Sequence, residues 1–383
     1  MLTASLRPLI LSSRGAASKW VGVPISVVDH TGMEVEMSNR MTVVLLAVLC
    51  AVAASGLIST AAAQAPPSAT AWEIPRTADG RPDFQGNWTN STLTPFERRE
   101  GTERLYTADE VASLEQRPVD RFTRGTAPSD PNRPAPTAGR SVGTYNEVYW
   151  ERGTRVALIN GEYRTSLVTH PANGRVPART PEAERLVQER RDLRSQFGQY
   201  DHPEMRPLGE RCIFFGSPSG PPMLPVGAYN SNYLIVQTAD HLMIMSEMVH
   251  DARIIRIGEP SPMPKNVRPY FGNSWGRWEG DTLVVETTNI SPLQLVRGVP
   301  LSEDAVVIER FTRVDEETIV YEFTIDDPKR FTEPWGGEIP INKLHARLYE
   351  YACHEGNYSL TGVLSGARYQ ERVEAQESTD ANR

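Results

Sequence analysis

Four long runs of β-branched and aromatic residues dominate the second half of this 383-residue chain. They are "YLIVQTADHLMIMSEMV" at 233–249, "GRWEGDTLVVETTNI" at 276–290, "AVVIERFTRVDEETIVYEFTIDD" at 305–327 and "ARLYEYACHEGNYSLTGVLSG" at 346–366. Such runs, joined by short polar turns, read as strands. A weak repeat runs through them: "DTLVVETT" at 281 aligns with "ETIVYEFT" at 317, and "DHLMIMSE" at 240 has the same shape. Each unit is a tight acidic turn feeding a strand, the pattern of an antiparallel meander rather than of alternating helix and strand. Closing a meander on itself removes its exposed edges. The expected fold is therefore mainly β, an antiparallel barrel or barrel-like sandwich over about 205–366.

The first half reads differently. Residues 41–63, "MTVVLLAVLCAVAASGLISTAAA", follow Arg40 and end in small residues before Gln64, which matches a secretory signal. The 36 residues before Met37 fit no part of a signal, so Met37 or Met41 is the expected start. An uncleaved anchor is the rival reading, because the run is near the lower length that spans a bilayer. Cleavage after Ala63 predicts a periplasmic or secreted protein with no stable membrane insertion. It also shifts the formal net charge from −8 to −9, since residues 1–63 hold four Lys/Arg and three Asp/Glu. An acidic chain without a basic face is not expected to bind nucleic acid. Cys212 and Cys353 are the cysteines that remain, and an oxidising compartment permits them to pair; two separately buried thiols are the alternative.

Residues 64–204 are expected to form an extended and partly helical segment that wraps the barrel. "YTADEVASLEQRP" has Thr107 as N-cap, Glu110 three residues on, and a stop at Pro118. "TPEAERLVQERRDLRSQFG" has Thr180 as cap, Pro181 at the first helical position, Gly198 beyond the end, and a thin stripe of Leu186, Leu193 and Phe197. The polar tail, 367–383, is expected to fray.

Familiar catalytic signatures are missing from the sequence. It holds no G-x-G-x-x-G, Walker loop, C-x-x-C or H-E-x-x-H; "GSPSG" at 216–220 puts Pro218 where a nucleophile elbow needs Ser, and "CHEGN" at 353–357 lacks the second Cys of a haem attachment site. No organic cofactor is expected. "FQGNW" at 84–88, however, matches the F-x-G-x-W that opens many lipocalin barrels, where the Trp packs across the closed end and the Gly lets the backbone turn beside it. More than a hundred residues separate it from the meander, which departs from lipocalin order. Together, "GRPDFQGNW", "EMVHDARII", "GRWEGDTLVVETTNI" and "YEYACHEGNY" resemble an uncharacterised group of secreted bacterial proteins over roughly 73–366. That resemblance implies export and a common fold, and no activity.

Three clusters carry candidate chemistry. In "SEMVHDARII" at 246–255, Glu247, His250, Asp251 and Arg253 interrupt an apolar run, and unpaired buried charge is costly. On a continuous strand Glu247, Asp251 and Arg253 share one face, so Asp251 can pair with Arg253 while Glu247 sits beside a like charge with raised proton affinity. An irregular turn after Met248 would let His250 join them. Both an internal ion-pair network and an acid–base site fit this pattern. In "YEYACHEGNY", Tyr351 belongs to an aromatic strand face that suits a ligand, while His354 and Glu355 could meet the His250 cluster and hold a divalent metal. In "GAYNSNYLI", Tyr229, Asn230 and Asn232 suit a polar-headed organic ligand, and Glu286 and Asn289 of "VVETTNI" complete the set. The expected function is binding of a small, partly apolar organic molecule at the barrel mouth. The alternatives are a cofactor-independent lyase, isomerase or hydrolase on the same frame, and an interaction module of the cell envelope.

Overall fold

The computed structural model describes residues 72–126, 132, 150–225, 227 and 229–381; the expected signal segment and start site lie outside the described residues. Strands β1 (Gly86–Thr89), β5 (Asn232–Gln237), β6 (His241–Ser246), β7 (Ala252–Ile257), β8 (Asn273–Glu279), β9 (Thr282–Thr288), β12 (Val306–Arg313), β13 (Thr318–Asp326) and β14 (Trp335–Lys343) hydrogen-bond in that order. β1 also pairs with β14, which closes a nine-stranded barrel, and β4 (Val168–His170) adds to β14 from outside the ring. Short ribbons β2 (Leu158–Ile159) with β3 (Glu162–Tyr163), and β10 (Leu295–Val296) with β11 (Val299–Pro300), sit in the connections.

The expected barrel is thus present, with one departure from an antiparallel meander. β7 and β8 run parallel, Arg256 beside Trp275. Parallel neighbours need a crossover rather than a hairpin, and the Pro-rich "GEPSPMPKNVRPYFG" at 258–272 supplies it. The long insertion after "FQGNW" does not keep β1 out of the ring: β1 is the staple between the first and last meander strands, Trp88 lying opposite Tyr233 on one side and Lys343 on the other.

Alternation along the strands sends Ile235, Leu242, Ile255, Leu283, Val285, Val307, Phe311, Ile319, Phe323 and Ile339 inward, each at most 2 % exposed. At that exposure the interior is filled by side chains, each contributing roughly 1.5–3 kcal/mol by leaving water. One end is shut by Phe84 and Trp88, whose indole N–H donates to the Phe84 carbonyl at 2.8 Å while the Arg313 guanidinium and Lys343 ammonium lie over its ring at 5.6 and 4.6 Å. Gly86 makes this turn possible, because its φ of +121° is a backbone conformation that residues with a Cβ rarely adopt. The other end is plugged by the loop through Pro218, Met223 and Leu224, fastened by Tyr233 Oη donating to the Pro218 carbonyl (2.8 Å) and Gln294 Nε2 to the Gly220 carbonyl (2.8 Å).

Among the described residues, three α-helices lie outside the ring: α1 (Ala108–Thr126), α2 (Pro181–Ser195) and α3 (Tyr358–Ala381). α1 starts with the expected capping box but runs through Pro118 instead of stopping there. α2 buries Ala183 and Val187 against Val299, and the expected stripe is not its contact: Leu193 and Phe197 are exposed. The region expected to be a fourth β run is irregular up to Asn357 and then becomes α3, which takes in most of the tail expected to fray.

Candidate functional site at the barrel rim

Where β6 leaves the wall, the chain turns through Met248–His250 before β7 begins, so "SEMVHDARII" is not one strand. Val249 and His250 both take positive φ, +62° and +41°. For a β-branched residue this is strained, and such strain persists only where surrounding contacts hold it. The contacts are specific: Met248 N–H donates to Asn230 Oδ1 (2.8 Å), Glu247 N–H to the Asn232 carbonyl (3.1 Å) and Ser246 N–H to the Asp251 carbonyl (2.9 Å).

The turn splits the four expected partners. Arg253, on β7, faces the barrel interior at 1 % exposure and pairs not with Asp251 but with Glu309 of β12, itself fully buried. Arg253 Nη1 donates to Glu309 Oε1 at 2.8 Å; the other guanidinium N–H groups reach Ser274 Oγ and Thr287 Oγ1, and Tyr321 Oη donates to Glu309 Oε1 at 2.8 Å. Every polar group of this pair is satisfied, so it is a filled interior network. Burial pushes the Tyr321 phenol well above its ordinary range. Asp251 Oδ2 instead accepts from Phe215 N–H (3.0 Å) and Ser219 Oγ (2.9 Å), which pins the plug loop; burial raises its proton affinity. His250 points to solvent.

Glu247 is left on the outer side of the wall, and there it meets a second carboxylate, Glu151. Asn232, outward on β5 because Tyr233 faces in, donates through Nδ2 to both, at 2.9 Å to Glu247 Oε2 and 2.7 Å to Glu151 Oε1. Tyr349 N–H donates to Glu247 Oε1 (2.7 Å), and Ser231 N–H to Glu151 Oε2. Burial, reinforced by the hydrogen-bonded Glu247 carboxylate, pushes Glu151 up to about 8. At neutral pH Glu151 therefore carries a proton and faces Glu247 with it. Beside the pair, Trp150 Nε1–H donates to Tyr229 Oη, the two rings meeting edge to face, and the Arg152 guanidinium lies 3.6 Å over the Trp150 ring. Among the described residues, Asn230 Nδ2, Ser231 Oγ and Arg152 Nε are buried polar atoms without a hydrogen-bond partner.

The remaining expected residues fall into two groups. Tyr229, Asn230 and Asn232 do converge with Glu247. Cys212 and Cys353 form the expected disulfide (Cα–Cα 5.7 Å), which brings the 349–357 segment to the same end of the barrel. Tyr351 is half-buried on that segment; His354 and Glu355 are exposed and, like His250, share no hydrogen bond with the carboxylates. Among the described residues no group of three His, Cys, Asp or Glu could hold a metal. Glu286 is exposed on the outer face of β9, and Asn289 (φ +55°) donates to the Met263 carbonyl at 3.2 Å, away from the carboxylates. Glu151 and Arg152 were missed because "YWERGT" follows a Pro-rich stretch with no periodicity to place it. Among family models, curated proteins and solved structures, none matches the chain.

Proposed function

We propose that the rim around Glu151 and Glu247 binds a small, polar-headed organic molecule. The observation that carries this reading is the carboxylate pair itself: a buried Glu247 and a partly buried Glu151, held on one amide, with buried polar atoms beside them that lack partners. A protonated Glu151 and a neighbouring Glu247 offer a donor and an acceptor side by side, and the Trp150–Tyr229 pair offers an aromatic wall. The filled interior favours the rim over the barrel lumen as the binding place. The resemblance to exported bacterial proteins and the Cys212–Cys353 bridge support an oxidising compartment.

A second reading, proton transfer on the bound molecule, is favoured by the value near 8 for Glu151, close to ambient pH, where general acids and bases work best. Glu151 would give the proton and Glu247 receive one, without a cofactor. Native mass spectrometry of protein purified from an exporting host, without chelator, tests the binding reading. The expected result is a retained organic mass that is lost in Glu247→Gln. Bare protein, together with no quenching of Trp150 fluorescence across a panel of small acids, alcohols and amides, would contradict it.

A further inference from the structure

A second concavity shares no lining residue with the carboxylate pair and carries the opposite charge. A groove of about 380 Å³ runs between α1 and the segment that leads into it, within the size range of small-ligand sites. Three arginines, Arg99, Arg117 and Arg121, line it together with Tyr106. Apolar surface from Leu93, Pro95, Leu114 and Pro118 completes it. On a chain of net charge −8, three arginines converging on one groove are expected to be matched by carboxylates. They are not: among the described residues none of the three side chains has a hydrogen bond or an ion pair. Their neighbours do, which makes the contrast local. Arg104 takes both oxygens of Glu162, at 3.2 and 2.7 Å, and Arg98 is spent on Thr165, Ser166 and the Ala172 carbonyl. The nearby acids are committed too: Glu110 accepts from Thr107 at the helix cap, and Glu115 accepts from Val156 N–H at 2.9 Å.

α1 is built in a way that keeps this wall in place. Pro118 stands inside the helix, at a position where proline removes a hydrogen bond and costs roughly 3 kcal/mol. Leu114 and Pro118, one turn apart, both line the groove, as do Arg117 and Arg121, one turn apart beside them. Burial raises the proton affinity of the Tyr106 hydroxyl, and the nearby Arg99 and Arg117 cations oppose that shift.

We propose that this groove binds a small organic anion: an oxyanion head, carboxylate or phosphate, held by Arg99, Arg117 and Arg121, on a short apolar body lying against Leu114 and Pro118. Guanidinium forks match the oxygen geometry of such heads, and the apolar floor distinguishes an organic anion from a free inorganic one. The site is independent of the Glu151–Glu247 rim, whose chemistry favours neutral or donor groups.

Isothermal titration of the full-length, disulfide-bonded protein tests this with three probes: benzoate, inorganic phosphate and uncharged benzyl alcohol. The expected result is saturable binding of benzoate, weaker binding of phosphate and none of benzyl alcohol. In Arg117→Gln/Arg121→Gln the benzoate affinity should fall at least tenfold while the melting temperature is kept. Neither side chain makes a hydrogen bond or ion pair among the described residues, Arg117 being exposed and Arg121 partly so, and folding is therefore preserved; a variant that melts early is replaced by Arg99→Gln, for which the same loss is expected. Benzoate binding that survives both variants, equal binding of benzyl alcohol, or no saturable binding of benzoate would overturn the proposal. Phosphate binding as tightly as benzoate would overturn the apolar half of it.

Discussion

Among single residues, the pairing of Arg253 with Glu309 is the strongest commitment in the barrel. Both are removed from water, and removal of one partner leaves the other charged and buried, which costs about 3–5 kcal/mol. Arg253→Ala should therefore unfold at much lower denaturant than the parent, whereas Arg253→Met/Glu309→Leu should recover most of the loss; equilibrium denaturation of the three proteins checks it. Arg253 is also where sequence reading and structure part. Charges two apart on a strand face the same way, and that rule assigned Asp251 to Arg253; the positive-φ turn at Val249 and His250 shifts the alternation and sends the two to different partners. A left-handed Val carries no sequence mark, because glycine or asparagine is what such positions normally show. Glu247 was legible as a carboxylate with an unusual setting, but its partner Glu151, nearly a hundred residues earlier, was not.

For the elements, the hydrophobic runs and acidic turns made most of the barrel strands legible, since period-two alternation and short turns are local properties. The parallel β7–β8 pair was not legible, because strand direction depends on how far a connection must travel. The 358–381 helix was misread for a related reason: aromatic and small residues in "NYSLTGVLSG" suit a strand as well as an exposed helix, and α3 buries none of its residues to impose a helical stripe. Proline marked the end of α1 in the sequence, yet α1 continues through it to Thr126. Replacing that proline restores a helix hydrogen bond, so Pro118→Ala should raise stability by about 1–3 kcal/mol, seen as a higher melting temperature by circular dichroism. Between β13 and β14 the opposite holds. A Cβ on Gly336 would lie 2.0 Å from the Phe323 carbonyl oxygen, so Gly336→Ala should push β13 and β14 apart and cost several kcal/mol in thermal melts.

Over the whole molecule, one covalent link joins the plug region to the C-terminal segment. The Cys212–Cys353 bridge spans 141 residues, a loop length for which chain entropy gives about 4–5 kcal/mol. Cys212→Ser/Cys353→Ser should lower the melting temperature and release the Tyr349 amide from Glu247, which amide exchange at Tyr349 would report. The charge state of the rim couples to stability as well. Glu151 holds its proton up to about 8 in the folded protein and gives it up near 4.5 when unfolded. The folded form thus binds more protons through that window, and stability falls as pH rises from about 5 to 8. Allowing for the solvent that reaches the carboxyl, the loss is about 2 kcal/mol. Asp251, also raised by burial, adds a loss of the same sign beginning at lower pH. Glu151→Gln should flatten the upper part of that profile.

The direct test of the rim pair is a carbon-13 NMR titration of the Glu151 side-chain carboxyl, assigned by its disappearance in Glu151→Gln. A midpoint near 8 that moves down in Glu247→Gln is the result expected if the two carboxylates share a proton at the barrel rim. A midpoint in the ordinary glutamate range, unmoved by that substitution, would contradict the pair and with it the site.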